Sequence, residues 1–281
     1  MNNSIKDSEL ILNPDGSIYH LQLRPEEIAD LIFTVGDPDR VEMLSKYFDR
    51  IEFKKAHREF VTHTGYIGTK RMSVISTGIG TDNIDIVLNE LDALANIDFD
   101  TKTIKTDFQQ LKIIRIGTSG SLHRSIPVDT FVASAAGLGL DSLMHYYQID
   151  KKNKPDIGVE LPILPYFFEA DQNLLNKFSG MHSGITATCP GFYAPQGRSL
   201  RLKAKDAQIL DKLRSVKINE MAVTNFEMET AGIYGLAHLM GHKALSLNAI
   251  LANREAGTFS KNPQATVDLL IQNTLEKLTS Q

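Results

Sequence analysis

A single cysteine, Cys189, and no tryptophan occur in 281 residues. One thiol excludes an intrachain disulfide framework and any Cys-rich zinc module. Neither sign of charge dominates: 34 acidic and 30 basic residues leave a formal net charge of −4 and a pI near 6.1. Domains that grip nucleic acid electrostatically usually sit above a pI of about 9, so no nucleic-acid partner is expected. No run approaches the ~18 apolar residues of a membrane span, and the apolar stretch 131–140 is broken by Ser134, Gly137 and Gly139. Residues 1–17 lack the basic start and apolar centre of a signal peptide, so a cytoplasmic location without a membrane partner is expected. Also missing are the G-x-x-x-x-G-K-[ST] phosphate loop and a G-x-G-x-x-G fingerprint after a strand. What remains is an ordinary globular mix, 42% hydrophobic and 23% charged, which excludes disorder over the whole length.

Short apolar runs alternate with longer amphipathic segments. Leu31–Val35 reads as a buried strand stopped by Gly36-Asp37-Pro38, with a helix over 39–47. Residues 71–77 read as a strand ending at Gly78-Ile79-Gly80. The segment 83–97 places Ile84, Val87, Leu88, Leu91, Leu94 and Ala95 at helical spacing. Residues 111–116 form a third strand ending in sequence that contains Gly117 and Gly120. Strands over 221–226 and 244–251 flank a helix at 229–240 closed by Gly241, and a last helix spans 263–278 with Pro263 at its start. Strand, Gly-rich turn and helix in repetition predict an α/β fold with a central mixed, mostly parallel sheet flanked by helices. The stretch 52–68 has hairpin character. One domain, 18–281, is expected after a tail at 1–17, with 97–110 as an exposed polar insertion.

Open α/β sheets bind ligands beyond the C-terminal ends of their strands. Three turns there share a character: Gly36-Asp37-Pro38-Asp39-Arg40, Ser76-Thr77-Gly78-Ile79-Gly80, and Arg115-Ile116-Gly117-Thr118-Ser119-Gly120. Glycine permits close backbone approach, free N–H groups face the ligand, and Arg offers a planar fork for anion oxygens. Together they describe a phosphate or carboxylate site; singly, each is an ordinary turn. Asn225-Phe226-Glu227-Met228-Glu229-Thr230 ends a strand and opens a helix, where Glu229 could simply stabilise the first turn. The loop Phe192-Tyr193-Ala194-Pro195-Gln196-Gly197-Arg198 pairs an amide with a guanidinium. Such a pair can read the donor and acceptor edge of a planar ring, or belong to a plain surface turn.

GDPDR (Gly36–Arg40), HREF (His57–Phe60), STGIG (Ser76–Gly80), RIGTSG (Arg115–Gly120) and NFEMET (Asn225–Thr230) stand in the order found in the nucleoside phosphorylase superfamily, which this chain resembles. The likeness runs from His20 to the last helix. The loop with Phe192, Gln196 and Arg198 is similar to that of its uridine phosphorylase branch. The resemblance implies phosphorolysis of a pyrimidine nucleoside, uridine, to free base and ribose 1-phosphate by a pentosyltransferase. It also implies a homo-oligomer of dimers, assembled as a hexamer, with shared active sites. Gly36, Arg40, Arg115 and Thr118 would bind phosphate, and Arg58 would reach a neighbouring subunit's phosphate. His20 would cross the same interface to the ribose 5′-hydroxyl. Met228 would pack under the sugar, alongside Thr118, and Glu229 would hold its 2′- and 3′-hydroxyls. Phe192 would stack on the base, Gln196 and Arg198 would bond its carbonyl and N3 edge, Gly120 would line the pocket, and Arg254 would lie close to the base. Arg40, Arg115, Glu229, Gln196 and Arg198 form the implied catalytic set.

No cofactor is implied beyond phosphate as co-substrate, and no metal is expected. Some members bind a monovalent cation between subunits through the Glu of HREF and a Ser after STGIG; Glu59 is kept, but Asn83 replaces the Ser. Pro195 stands where the uridine branch commonly has Gly, and Phe226 where Tyr is usual. A purine or broad-specificity phosphorylase is the nearest alternative. Its Ser-Asp pair after the last core strand is here Ala252-Asn253-Arg254. A nucleosidase would not need Arg40, Arg58 and Arg115 around one anion, and a non-catalytic binder would be expected to lose part of this set.

Overall fold

The computed structural model describes residues 4–279. The chain folds as one α/β domain. Part of the expected tail, residues 1–3, and the last two residues of the expected domain, 280–281, lie outside that range. The described part of the tail is fastened down: Leu10 is buried and Leu12 bridges to Ile18, and just beyond it the backbone N–H groups of His20 and Leu21 donate to the Glu90 carboxylate.

Strand β1 (Leu31–Val35) leads to α1 (Asp39–Ser45), followed by the antiparallel strands β2 (Arg50–His57), β3 (Phe60–Ile67) and β4 (Lys70–Ser76). The expected hairpin is therefore present. Helix α2 (Thr81–Asn96) buries Ile84, Val87, Leu88, Leu91 and Leu94, the face its spacing foretold. The segment 97–110 is exposed or half-buried along its length, as its polar composition implies, but it is more than a loop. It folds into a two-stranded hairpin, β5 (Ile97–Asp98) and β6 (Thr103–Ile104), with Ile97 and Phe99 packed on the main core and Phe108 stacked on His242. Ile104 is left exposed.

Strand β7 (Lys112–Ser121) corrects a second expectation. It does not end before its glycines but runs through Gly117 and Gly120, because β13 (Lys243–Asn253) pairs with it in parallel from Lys112 to Ser121. Two long strands, β8 (Phe131–Gly139) and β10 (His182–Thr188), were not anticipated, nor were the short strands Tyr166–Glu169, Lys217–Ile218 and Thr258–Phe259. The short β9 (Tyr166–Glu169) and α3 (Gln172–Asn176) separate β8 from β10. The chain then adds α4 (Ile209–Ser215), β11 (Lys217–Ile218), β12 (Met221–Glu227) and α5 (Thr230–Met240). Gly241 ends α5 in the left-handed conformation, φ 79°. Beyond β13 come β14 (Thr258–Phe259) and α6 (Pro263–Thr279).

The main sheet runs β11-β12-β10-β8-β13-β7-β1-β4-β3-β2, and β12 also pairs with β7. Strands β7, β13, β8, β10 and β12 therefore close on themselves, with β11, β14 and β9 attached to the outside of that ring. Strands β1, β4, β7 and β13 are mutually parallel along their shared pairings, as are β8, β10 and β12. The two groups meet in antiparallel pairings, β13 with β8 and β12 with β7, and residues at or after the C-terminal ends of β1, β4, β7, β10, β12 and β13 come together.

Candidate active site

The loops at those C-terminal ends enclose a cavity of about 610 Å³. Gly36 and Arg40 follow β1, Gly78 and Ile79 follow β4, and Thr118, Ser119 and Gly120 belong to the end of β7. Phe192, Gln196 and Arg198 follow β10, Met228 and Glu229 follow β12, and Leu251 and Ala252 close β13. Ten of the thirteen residues singled out from the sequence line this one space.

At its floor lies a buried charge cluster. Arg115, only 6% exposed, places Nη2 2.6 Å from Oε2 of Glu229 and 2.9 Å from Oε2 of Glu227, and its Nη1 donates to Asn248 Oδ1 at 2.8 Å. Gly117 makes this possible, because a Cβ there would collide with the guanidinium. Burial alone would penalise the arginine's charge, but Glu227 and Glu229 outweigh it and hold its pKa above the ordinary value. Glu229 shares that arginine with a second carboxylate. Its own burial, with Glu227 beside it, raises its pKa even against the pull of Arg115. The backbone N–H of Gly80 donates to Glu229 Oε1 at 2.8 Å, which ties the STGIG loop to the start of α5. Gly80 has φ +99°, a conformation that suits glycine.

Glu227 was not singled out from the sequence. It carries the first-turn role that seemed open to Glu229: its oxygens accept from the backbone N–H of Glu229 and Thr230 at the N-terminus of α5, and from Thr188 Oγ1. Its position two residues before Glu229, at the strand end, was the available signal. Phe226, one residue earlier, packs its ring against Gly120, where an added Cβ would sit 3.0 Å from the ring edge.

Arg40 lies at the other wall, half-buried, with one hydrogen bond to the Ile116 carbonyl at 3.3 Å. Its pKa is lowered, first by burial and then by the like charge of Arg115. Two guanidiniums that repel each other across an open cavity, beside Gly36 and Thr118, form a place for an anion.

The loop after β10 builds the opposite wall. Gln196 is 2% exposed, and Arg198 Nη1 donates to its Oε1 at 2.6 Å and to the Phe192 carbonyl at 2.7 Å. The Arg198 guanidinium also lies over the Phe192 ring, 3.7 Å from its centroid. Burial and the nearby charge of Arg254 push the Arg198 pKa down to about 10. The half-turn Ala194–Gln196 accommodates Pro195 at its start, and Gly197 follows at φ +65°. The Pro and the shifted Gly are thus absorbed by a local turn that keeps Phe192, Gln196 and Arg198 together.

Three residues lie outside the cavity. Arg254 donates to the backbone carbonyls of Gln196 at 2.8 Å and Gly197 at 3.4 Å, so it braces the loop. His20 holds Glu90 Oε1 through Nδ1 at 2.6 Å, and its carbonyl is bonded by His57 Nδ1 at 3.0 Å. Arg58, next to His57, is exposed at the β2–β3 turn with φ +54°. His20 and Arg58 therefore lie on one side of the molecule, and neither lines this chain's own cavity. Cys189 is buried below the site and its thiol pKa is raised by that burial, so it offers no thiolate.

The family model described as the phosphorylase superfamily matches residues 30–279. The uridine phosphorylase of Thermococcus kodakarensis is 31% identical over 251 residues, covering 88% of this chain and 81% of that protein. A DeoD-type purine nucleoside phosphorylase of Streptococcus suis is 27% identical over 271 residues, covering 93% and 99%. Among solved structures, the Trypanosoma brucei nucleoside phosphorylase, which shows uridine phosphorylase activity, superposes with a TM-score of 0.87 at 29% identity, covering 97% of this chain and all of that one.

Proposed function

The chain belongs to the phosphorylase superfamily, and we propose that it cleaves the N-glycosidic bond of uridine with inorganic phosphate, giving uracil and ribose 1-phosphate. The observation that carries this reading is the single cavity that sets the Arg40 and Arg115 corner on one side and the Gln196 and Arg198 loop on the other. One end suits an anion, the other a planar ring with carbonyl acceptors.

In this reading phosphate sits against Gly36, Arg40, Arg115 and Thr118, below C1′. The C1′–N1 bond breaks, a phosphate oxygen bonds to C1′, and the electron pair leaves with the pyrimidine. Arg198 and the Gln196 amide oppose the negative charge that builds on the ring, with Phe192 against its face. Arg198 holds Gln196 Oε1 in place, so the amide is oriented before the base arrives. Met228 and Glu229 meet the sugar. A substrate hydroxyl near Glu229 would compete for an oxygen now given to Arg115, coupling the sugar and phosphate halves of the site. No cofactor or metal enters the reaction as we read it.

Against a purine preference stands Asn253. Its Nδ2 is spent on the carbonyls of His123 and Ile126 and its Oδ1 on the Ala256 N–H, and no acid occupies that place. We also infer a homo-oligomer with shared sites, dimers built into a hexamer. The position of His20 and Arg58 on one side of the molecule, neither lining this chain's own cavity, supports it. A reducing cytoplasm suits a chain with one cysteine. The test is phosphorus NMR on uridine, phosphate and enzyme: a sugar-phosphate ester signal should grow as free phosphate falls. Free ribose with phosphate unconsumed would sink the phosphorolytic reading.

A further inference from the structure

A second cavity of about 370 Å³ adjoins the first. Phe192, Arg198, Ala252 and Phe259 line both, so the two are one continuous space with an annex. Arg254 and Thr258 belong to the annex alone.

The annex is unusual in its charge. Arg198 and Arg254 both face it, and neither forms an ion pair among the described residues. Every hydrogen bond they make goes to a backbone carbonyl or to Gln196 Oε1. These bonds use Nη1 of Arg198 and both Nη atoms of Arg254, leaving Nη2 and Nε of Arg198 and Nε of Arg254 without an acceptor among the described residues. Elsewhere in the molecule the buried arginine, Arg115, is matched by two carboxylates. Here two partly desolvated guanidiniums repel each other, and each is lowered in pKa by burial. Side walls of Phe192 and Phe259 and the small Ala252 leave room beside them for a planar group.

Uracil bound by its carbonyl and N3 edge has two substitutable ring carbons. Carbon 6 adjoins N1 and therefore the sugar. Carbon 5 adjoins the carbonyl at C4, so a group on carbon 5 lies nearest an arginine that holds that carbonyl. We propose that the annex is an anion subsite that accepts uridines carrying a carboxylate on ring carbon 5, held by Arg198 and Arg254 with Thr258 Oγ1 as a further donor. This rests on the uridine-cleaving reading of the main cavity. The carboxylate accepts from N–H groups that now lack acceptors, and its charge cancels the repulsion between the two guanidiniums.

The experiment measures 5-carboxyuridine as a competitor of uridine cleavage, with neutral 5-carbamoyluridine as its isostere. The carboxylate should bind at least about tenfold more tightly than the amide, and added salt should narrow the gap. Arg254→Gln keeps a donor for the loop carbonyls but removes the charge, and should erase most of that preference. Arg254→Lys should retain part of it. Thr258→Glu, on an exposed strand, places a competing carboxylate in the annex and should erase it as well. Equal binding of acid and amide, or a preference unchanged in both Arg254→Gln and Thr258→Glu, overturns the subsite. If uridine itself is not cleaved, the reading of the main cavity fails instead. The annex is then judged by calorimetry of 5-carboxyuracil against uracil, where no preference for the acid overturns it.

Discussion

Arg115 and Glu229 meet at 2.6 Å in a pocket floor nearly closed to solvent, and Glu227 binds the same Nη2 from the other side at 2.9 Å. One arginine thus serves two carboxylates of different duty. Glu227 is spent on the protein, holding the N-terminus of α5. The Glu229 carboxylate accepts one other hydrogen bond among the described residues, from the Gly80 N–H, and lies on the cavity wall.

Both oxygens of Glu227 face donors, so an amide in its place must turn its NH₂ toward another N–H or O–H. Glu227→Gln is expected to cost ~3 kcal/mol of stability, in the range for breaking a buried ion pair. Denaturant unfolding checks this, and a variant as stable as wild type would contradict it.

Gly117 has ordinary backbone geometry, so alanine there strains nothing except the space Arg115 occupies. That guanidinium is clamped by Glu227, Glu229, Asn248 and Ser246 and cannot step aside without losing partners. Gly117→Ala should raise the KM for phosphate by at least about tenfold, equal to ~1.4 kcal/mol. Steady-state kinetics at varied phosphate reads this directly, and an unchanged KM would refute the clamp.

If Arg58 serves a neighbour's site, two defective variants should rescue each other. Arg58→Ala supplies a sound Glu229, and Glu229→Ala supplies a sound Arg58. In randomly remixed dimers about a quarter of all sites then hold both residues, by the reciprocity of a two-fold interface. Activity of the remixed sample should rise toward about a quarter of wild type. No rise after verified subunit exchange would mean that each chain uses its own Arg58.

His63 is buried against α1, with Nδ1 2.7 Å from Ser45 Oγ. Burial lowers its pKa from 6.5, with Lys54 adding to the effect. A depressed histidine pKa means the unfolded chain binds the proton first. Its contribution to stability is therefore present above pH 6.5 and is lost as pH falls from there through the folded-state value. Melting temperature should decline over that window in wild type and decline less in His63→Gln. Parallel curves would remove His63 from the account.

The turns after Val35 and Ser76 were legible because glycine, with Pro38 in the first, ends an apolar run by its backbone preference. The strand nature of RIGTSG was not, since glycine reads as a turn until one sees that Gly117 makes room for Arg115 and Gly120 for Phe226. Strands β8 and β10 escaped notice for a related reason. Their small residues exist to let other groups approach: Gly137 meets the backbone of Ala231 in α5, where an added Cβ would come within 2.7 Å of its Cα. That signal is packing, which periodicity does not carry. Glu227 was hidden because a carboxylate that caps a helix and one that faces a cavity look alike in sequence. Only the hydrogen bonds separate them.

The central claim is that the Gln196 and Arg198 wall reads a pyrimidine while the Arg40 and Arg115 wall binds phosphate. Initial rates of base release from uridine and inosine, each with and without phosphate, test both halves in one plate. The account predicts rapid uracil release from uridine only when phosphate is present, and little release from inosine. Faster cleavage of inosine, or cleavage of uridine without phosphate, would contradict it.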